Sequence, residues 1–162
     1  MSRQVLWAPW RMTYVEGESP RTKGCIFCDL PAHGDPRENL VLHADDDAVV
    51  MLNRYPYNSG HLMVAPRRHA GDPLELAPEA WAGLMEHLRR ALAALRETFR
   101  PEGVNVGANL GAAAGAGIAD HLHWHLVPRW PGDTNFMPVL AEVKVVPQHL
   151  LATYDLLKRH YA

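Results

Sequence analysis

Cysteine, net charge and long apolar runs are all scarce in this chain. Only two cysteines, Cys25 and Cys28, occur among 162 residues, which excludes a secreted scaffold framed by disulfides. The 16 basic residues nearly balance the 18 acidic residues, so no basic surface for nucleic acid or an anionic membrane is expected. No stretch approaches the ~20 apolar residues of a membrane span, and the N-terminus has no apolar core of signal-peptide length. We therefore expect a cytoplasmic protein.

The remaining composition is that of an ordinary folded protein. Hydrophobic residues make up 48% of the chain and charged residues 21%, and the length suits one domain with a core of its own. Neither an internal repeat nor a dividing linker is visible. We predict a single domain over residues 1–162, with an N-terminal arm and loop over 1–39 and a C-terminal extension over 131–162.

The pattern of apolar residues predicts an α+β fold. Short β-type runs separated by turn residues occupy 40–43, 47–53, 61–66 and 103–110. A long helix is predicted over 78–100, where Trp81, Leu84, Met85, Leu88, Leu92 and Leu95 follow helical spacing. The tail carries Leu150, Leu151, Tyr154 and Leu157 on one side and predicts a terminal helix. We expect an antiparallel sheet of about five strands, packed against the long helix and covered at one end by the terminal helix.

The segment HLHWHLVPRW, residues 121–130, places a histidine at every second position. In a strand, His121, His123 and His125 point the same way at intervals of about 6.6 Å, and the intervening apolar residues face the core. The row of imidazoles is too polar for a core, so the alternatives are a solvated strand and a functional site. A glycine-rich loop over 111–117 precedes it, and its backbone N–H groups can line a phosphate site. The combination indicates a nucleophile beside a phosphate cradle.

These residues resemble the histidine-triad (HIT) superfamily of nucleotide hydrolases and transferases. Its signature is three histidines alternating with apolar residues, and HLHWHLV fits every position. The segments CIFC and VVMLNRYPYNSGHLMVAPRRH and the long helix occur in the family's order. LWAPWRMTYV and PRWPGDTNFMPVLAEVKVVPQHLL are most similar to the bacterial diadenosine tetraphosphate phosphorylase branch. The resemblance implies a HIT-like fold over most of the chain.

The resemblance assigns the chemistry to His123, which would form a covalent nucleotidyl-histidine and so split one difficult displacement into two. His125 would contact the transferred phosphate or orient the nucleophile. The second ring nitrogen of His123 needs an acceptor, expected to be a backbone carbonyl, to fix its tautomer. Charge on the phosphoryl group would be stabilised by a set of loop donors, namely Asn109, Gly115, Ala116 and Gly117.

One departure from the family lies just before the first histidine. Family members often carry Gln, Ser or Thr where this chain has Gly117 and Ile118. No side chain there can donate to the bridging oxygen or the α-phosphate. Backbone amides must therefore donate the hydrogen bonds that stabilise the leaving group.

Three further positions match the family's nucleoside contacts. Asn53 lies where the family binds the ribose hydroxyls with Asn or Asp, and the alternative is a strand-terminating Asn. Phe27 and Leu52 match apolar walls for a purine. Either residue can equally be plain core.

Cys25 and Cys28 form a C-x-x-C motif, which has a redox and a metal interpretation. A redox pair needs a low-pKa thiol, typically at a helix N-terminus, and nothing in the sequence places one there. The resemblance implies zinc, because His69 and His121 match the ligands of the zinc-bearing members. These four residues would close a tetrahedral structural site; an empty site is the alternative. His43 and His61 are interpreted as structural or solvent-facing, and no role is assigned to His33, His87, His149 or His160.

The function that the resemblance implies is nucleotidyl transfer from diadenosine tetraphosphate to orthophosphate, which releases ADP and ATP. One alternative is a nucleotide or phosphoramidate hydrolase that uses water as the acceptor. Another is a nucleotide-binding regulatory module with little turnover, which an intact triad disfavours. The expected partners are the nucleotide and orthophosphate, with no nucleic acid or membrane. A homodimer formed through the long helix and an edge strand is expected, with a tetramer as the alternative.

Overall fold

In the part of the chain that the structure describes, a five-stranded antiparallel sheet is flanked by three α-helices. The computed structural model describes residues 24–133 and 149–161, so residues 1–23 of the predicted N-terminal arm and loop and half of the predicted C-terminal extension lie outside the described residues. The strands are β1 (Val41–Ala44), β2 (Ala48–Leu52), β3 (Leu62–Pro66), β4 (Gly103–Ala108) and β5 (Trp124–Arg129). The helices are α1 (Ile26–Asp29), α2 (Pro78–Phe99) and α3 (Leu150–Lys158). The strand order is β1-β2-β3-β5-β4, which confirms the predicted fold class.

The long helix α2 begins and ends where its sequence signals predict. Pro78 occupies its first position, and Arg100 ends it in the left-handed conformation with φ 47°. One face buries Leu84, Ala91 and Leu95 against the sheet. Among the described residues, no helix combines the length and apolarity needed to cross a bilayer.

The terminal helix α3 is fastened to the edge strand β1 by two side chains. The hydroxyl of Tyr154 donates to the carbonyl of Val41 at 3.0 Å, and Nζ of Lys158 donates to the carbonyl of Leu42 at 2.6 Å. Leu157 is buried in the core beside them. The predicted cover of one end of the sheet is therefore confirmed.

The two faces of the sheet have separate cores because strand side chains alternate between them. In β2, Val50 and Leu52 belong to the main core under α2. Val49 and Met51 belong to a second core on the opposite face, together with Phe27 of α1. The segment that contains Cys25 and α1 thus covers the face that α2 leaves open.

The triad histidines are more deeply placed than expected. Strand β5 begins at Trp124, so His121 and His123 precede it, although the alternation of faces is kept. His121 is 0% exposed and His123 4% exposed, so the expectation that this row is too polar to be buried was wrong. The physical reason is Phe27, whose ring lies 5.1 Å from that of His121 and 5.0 Å from that of His123.

Candidate active site and metal centre

His123 is held in one tautomer by its own backbone neighbourhood. Its Nδ1 lies 2.8 Å from the carbonyl oxygen of His121, which can only accept, so Nδ1 carries the proton. Nε2 therefore keeps its lone pair. Burial lowers the pKa of His123 and outweighs the opposing effect of this hydrogen bond, so the ring is neutral at pH 7. A neutral imidazole with a fixed, unprotonated Nε2 has the electronic form of a nucleophile.

His125 is oriented by a residue to which the sequence analysis gave no site role. The backbone N–H of Tyr57 donates to Nδ1 of His61 at 3.1 Å, so the neutral His61 ring carries its proton on Nε2. That nitrogen lies 2.9 Å from Nδ1 of His125. His61 therefore donates to His125, and His125 carries its own proton on Nε2. The rings of His123 and His125 meet edge to face at 4.9 Å.

The interpretation of His61 as structural or solvent-facing missed this contact. His61 is fully buried. Strand pairing sets Met63 opposite His125, and His61 lies two residues before Met63, on the same face of the sheet. The pairing of β3 with β5 was the missing signal, because the sequence alone does not show which strands are neighbours.

The glycine-rich loop leads from β4 to the triad. Gly111 and Gly115 have φ values of 78° and 89°, which favour glycine, and a short 3₁₀ turn over Ala112–Ala114 lies between them. Nδ2 of Asn109 donates to the carbonyl of Gly115 at 3.4 Å and so links the two ends of the loop. Ala116 is half-buried, whereas Gly115 and Gly117 are exposed. This placement leaves the loop at the surface, where an anion can reach it.

The residues predicted to contact the nucleoside lie on both faces of the sheet. Phe27 lies on the triad face, against the rings of His121 and His123. Leu52 lies in the main core on the opposite face, so its interpretation as a purine wall is wrong and the core alternative fits. Its neighbour Met51 shares the face of Phe27. Asn53 follows β2 and is half-buried, and its Oδ1 accepts from the backbone N–H of Tyr55 at 2.8 Å.

The four predicted zinc ligands come together in one cluster. Sγ of Cys25 lies 3.1 Å from Nδ1 of His121, and Sγ of Cys28 lies 3.4 Å from Nδ1 of His69. The four ligand atoms all lie within 4.8 Å of one another. The cluster therefore joins α1, the end of β3 and the first residue of the triad.

The protonation of the cluster suits a metal. Nε2 of His121 donates to the carbonyl of Pro66 at 2.9 Å, which leaves Nδ1 unprotonated and directed at the thiols. Burial is the largest cause that lowers the pKa of His121. Burial and the neighbouring Cys25 raise the pKa of Cys28 to about 11, the reverse of what a reactive redox thiol needs. Contrary to expectation, the motif does lie at a helix start, because Cys25 caps α1.

Comparison with known proteins shows the family. The HIT domain family model matches residues 36–132. An AP-4-A phosphorylase of Mycobacterium tuberculosis strain H37Rv is 39% identical over 98% of this chain and 85% of its own length. The chain belongs to the HIT domain family. It is a nucleotide-processing enzyme of that family, a nucleotidyltransferase or a hydrolase.

Solved structures show the same fold. A zinc-bound histidine triad family protein from Mycobacterium smegmatis is 26% identical with a TM-score of 0.66, over 85% of this chain and 93% of that one. A hypothetical histidine triad nucleotide-binding protein from Sulfolobus tokodaii is 25% identical with a TM-score of 0.64, over 85% and 89%. The HIT-like fold is therefore established for this chain.

Proposed function

We propose that this protein transfers an adenylyl group from diadenosine tetraphosphate to orthophosphate through a covalent nucleotidyl-His123. The observation that carries the proposal is the fixed tautomer of His123, with Nδ1 bonded to a carbonyl and Nε2 unprotonated in a buried ring. The choice of substrate rests on the similarity to the AP-4-A phosphorylase, which extends over nearly the whole chain.

The reaction takes two displacements at one phosphorus. In the first, the Nε2 lone pair of His123 attacks the α-phosphorus, an N–P bond forms, and ATP departs with the electrons of the broken P–O bond. In the second, an oxygen of orthophosphate attacks the same phosphorus, the N–P bond breaks, and ADP is released with the His123 lone pair restored. Each step inverts the phosphorus and needs its developing charge stabilised.

The described residues supply that stabilisation from two directions. His125 carries its proton on Nε2 and donates it as a hydrogen bond to an oxygen of the transferred group or the leaving group. The amides of Gly115, Ala116 and Gly117, with Asn109, bind the polyphosphate. Asn53 donates to a ribose hydroxyl and Phe27 forms an apolar wall near the base.

Zinc is the metal we propose for the Cys25, Cys28, His69 and His121 cluster. The residues fit the ion because two thiols and two Nδ1 atoms provide the Cys2His2 set of structural zinc sites. The similar protein from Mycobacterium smegmatis is itself zinc-bound. The ion would act as a structural cross-link between α1 and the triad segment.

The sequence also predicted a homodimer and a cytoplasmic location. Among the described strands, β4 lies at one edge of the sheet, and Val106 on it is 43% exposed. A sheet edge with an exposed apolar side chain favours pairing with a second copy. We propose that the protein is cytoplasmic and forms a homodimer through β4 and α2. Light scattering coupled to gel filtration measures the molar mass in solution and so tests the dimer.

Product analysis tests the proposed reaction. With diadenosine tetraphosphate and orthophosphate, we expect ADP and ATP in equal amounts. If AMP and ATP form regardless of orthophosphate, water is the acceptor and the protein is a hydrolase. If nothing turns over while the nucleotide still binds, the protein is a binding module.

A further inference from the structure

A second cluster of metal-ligating side chains lies away from the active site. His43 is in β1, Asp45 follows that strand, and His87 is in α2. Nε2 of His43 lies 2.9 Å from Oδ2 of Asp45, and Nε2 of His87 lies 3.0 Å from the same oxygen. Helix α2 packs on the face of the sheet opposite Phe27, so this cluster is separate from the Cys2His2 group. We call these three residues the β1–α2 cluster.

The carboxylate of Asp45 is fixed by the turn that it begins. Its Oδ1 accepts from the backbone N–H groups of Asp47 and Ala48, both at 3.0 Å. Oδ2 is thereby held toward the two imidazoles. Burial raises the pKa of Asp45, but the bonds from Ala48, His43 and Asp47 outweigh it and lower the pKa to about 2. The group is an ionised, preoriented oxygen ligand at neutral pH.

The two imidazoles converge on that oxygen from different elements. Their rings stack at 5.2 Å with an angle of 27° between planes, so both Nε2 atoms lie on one side of the stack near Asp45. The side chain of His87 is 7% exposed, and its Nδ1 has no hydrogen-bond partner among the described residues. In the metal-free protein Nε2 of His87 carries the ring proton, because it faces the ionised Oδ2 of Asp45 at 3.0 Å. Nδ1 can take over that proton, and Nε2 then presents its lone pair to a cation.

We propose that the β1–α2 cluster is a second metal site, which binds a divalent transition-metal ion of the zinc type. The ligands are Nε2 of His43, Nε2 of His87 and Oδ2 of Asp45, and imidazole with carboxylate is a set that such ions accept. On binding, the one proton of each neutral ring moves from Nε2 to Nδ1, so each imidazole coordinates as a neutral ligand.

The geometry needs little change to admit the ion. Ligand atoms around a tetrahedral ion with bonds of about 2.0–2.1 Å lie about 3.3 Å apart. The observed separations from Oδ2 of Asp45 are 2.9 and 3.0 Å, and all three ligand atoms lie within 4.8 Å of one another. His43 and Asp45 are partly exposed, which leaves the remaining coordination position to water. With three protein ligands and no thiolate, the site binds more weakly than the Cys2His2 group. The ion would connect the β1–β2 turn to α2.

Cobalt distinguishes the two sites in the unmodified full-length protein. After chelation and dialysis, one equivalent of Zn²⁺ is added to fill the Cys2His2 group, and Co²⁺ is then titrated. The proposal predicts one equivalent of Co²⁺ bound with visible ligand-field bands and no sulfur-to-cobalt charge-transfer band. The absence of such binding in the wild type would overturn it, and so would a charge-transfer band that accounts for all of the bound cobalt.

Variants assign the signal to the residues. Asp45→Asn keeps an oxygen for the turn amides and removes the carboxylate, and His43→Gln changes a partly exposed ligand. Each variant should abolish the binding of Co²⁺ at the β1–α2 cluster and leave the binding of Zn²⁺ at the Cys2His2 group unchanged. His33→Gln, at an exposed histidine outside both clusters, is the matched control and should bind as the wild type does. If both cluster variants still bind one equivalent of Co²⁺ after Zn²⁺ has been added, the second site is elsewhere and the proposal is wrong.

Discussion

The carbonyl of His121 accepts a hydrogen bond from Nδ1 of His123 at 2.8 Å, and the ring of His121 points away toward Cys25 at 3.1 Å. One residue therefore belongs to the candidate metal centre by its side chain and to the candidate active site by its backbone. The position of that carbonyl decides which nitrogen of His123 is protonated. The side chain of His121 is also held by the carbonyl of Pro66, so the position of residue 121 does not depend on the cysteines alone.

Removing a zinc ligand should cost stability more than catalysis. In His69→Ala, we expect loss of zinc and a fall of about 3 kcal/mol in the free energy of unfolding, comparable with losing a ligand present at 100 times its Kd. The turnover number should fall by less than tenfold, because Pro66 still holds His121. Metal analysis, thermal unfolding and steady-state kinetics check this, with His33→Ala as control. A variant of wild-type stability that has lost its activity would contradict the structural role.

Replacing His61 should impair the chemical step. His61→Phe keeps a planar ring but removes the N–H that orients His125, and misplacement of a catalytic group by about 1 Å costs on the order of 100-fold. We expect kcat to fall by about that factor and KM to change little. His160→Phe, at a histidine bonded to Thr98 instead, should behave as the wild type. An effect confined to KM would refute the positioning role.

Truncating His125 should leave measurable activity. In His125→Ala, the donor to the phosphoryl oxygens is lost, which costs about 3–4 kcal/mol in the transition state. The nucleophile at His123 remains, so the covalent nucleotidyl-enzyme should still form, slowly. Single-turnover kinetics with labelled substrate measure this, and a rate indistinguishable from that of His123→Ala would argue against separate roles.

The pH dependence of the first displacement should report the lowered pKa of His123. The active form is the neutral ring, so the rate is constant above its pKa and falls below it. Because burial lowers this pKa from 6.5, the fall should begin at a lower pH than for a free imidazole. The rate of formation of the labelled enzyme in a single turnover measures this pH dependence. Orthophosphate is left out, so its own titration does not contribute. A midpoint at or above 6.5 would contradict the buried, neutral nucleophile.

The sequence predicted the elements of the fold well because each has a local cause. Alternation and turn residues located the strands, and helical spacing between Pro78 and the breakers Pro101 and Gly103 located α2. The four candidate zinc ligands were predicted from the resemblance to the HIT superfamily. The cover of the triad by Phe27 was not predictable, because α1 has only four residues within a loop rich in Pro and Gly.

Register and strand pairing limited what the sequence could show at two positions. Leu52 and Met51 are neighbours on β2, and a shift of one residue changes the face of the sheet. The contact of His61 with His125 depends on β3 lying beside β5, which residue patterns on either strand do not specify. Both errors concern non-local contacts.

The most direct test of the account is a rapid quench of the enzyme with diadenosine tetraphosphate labelled at the α-phosphate. If Nε2 of His123 is the nucleophile, the wild type traps label on the protein that is acid-labile and base-stable, as an N–P bond to histidine requires. His123→Ala should bind the nucleotide and trap no label. Trapping by that variant, or its turnover at the wild-type rate, would show that the reaction does not pass through His123.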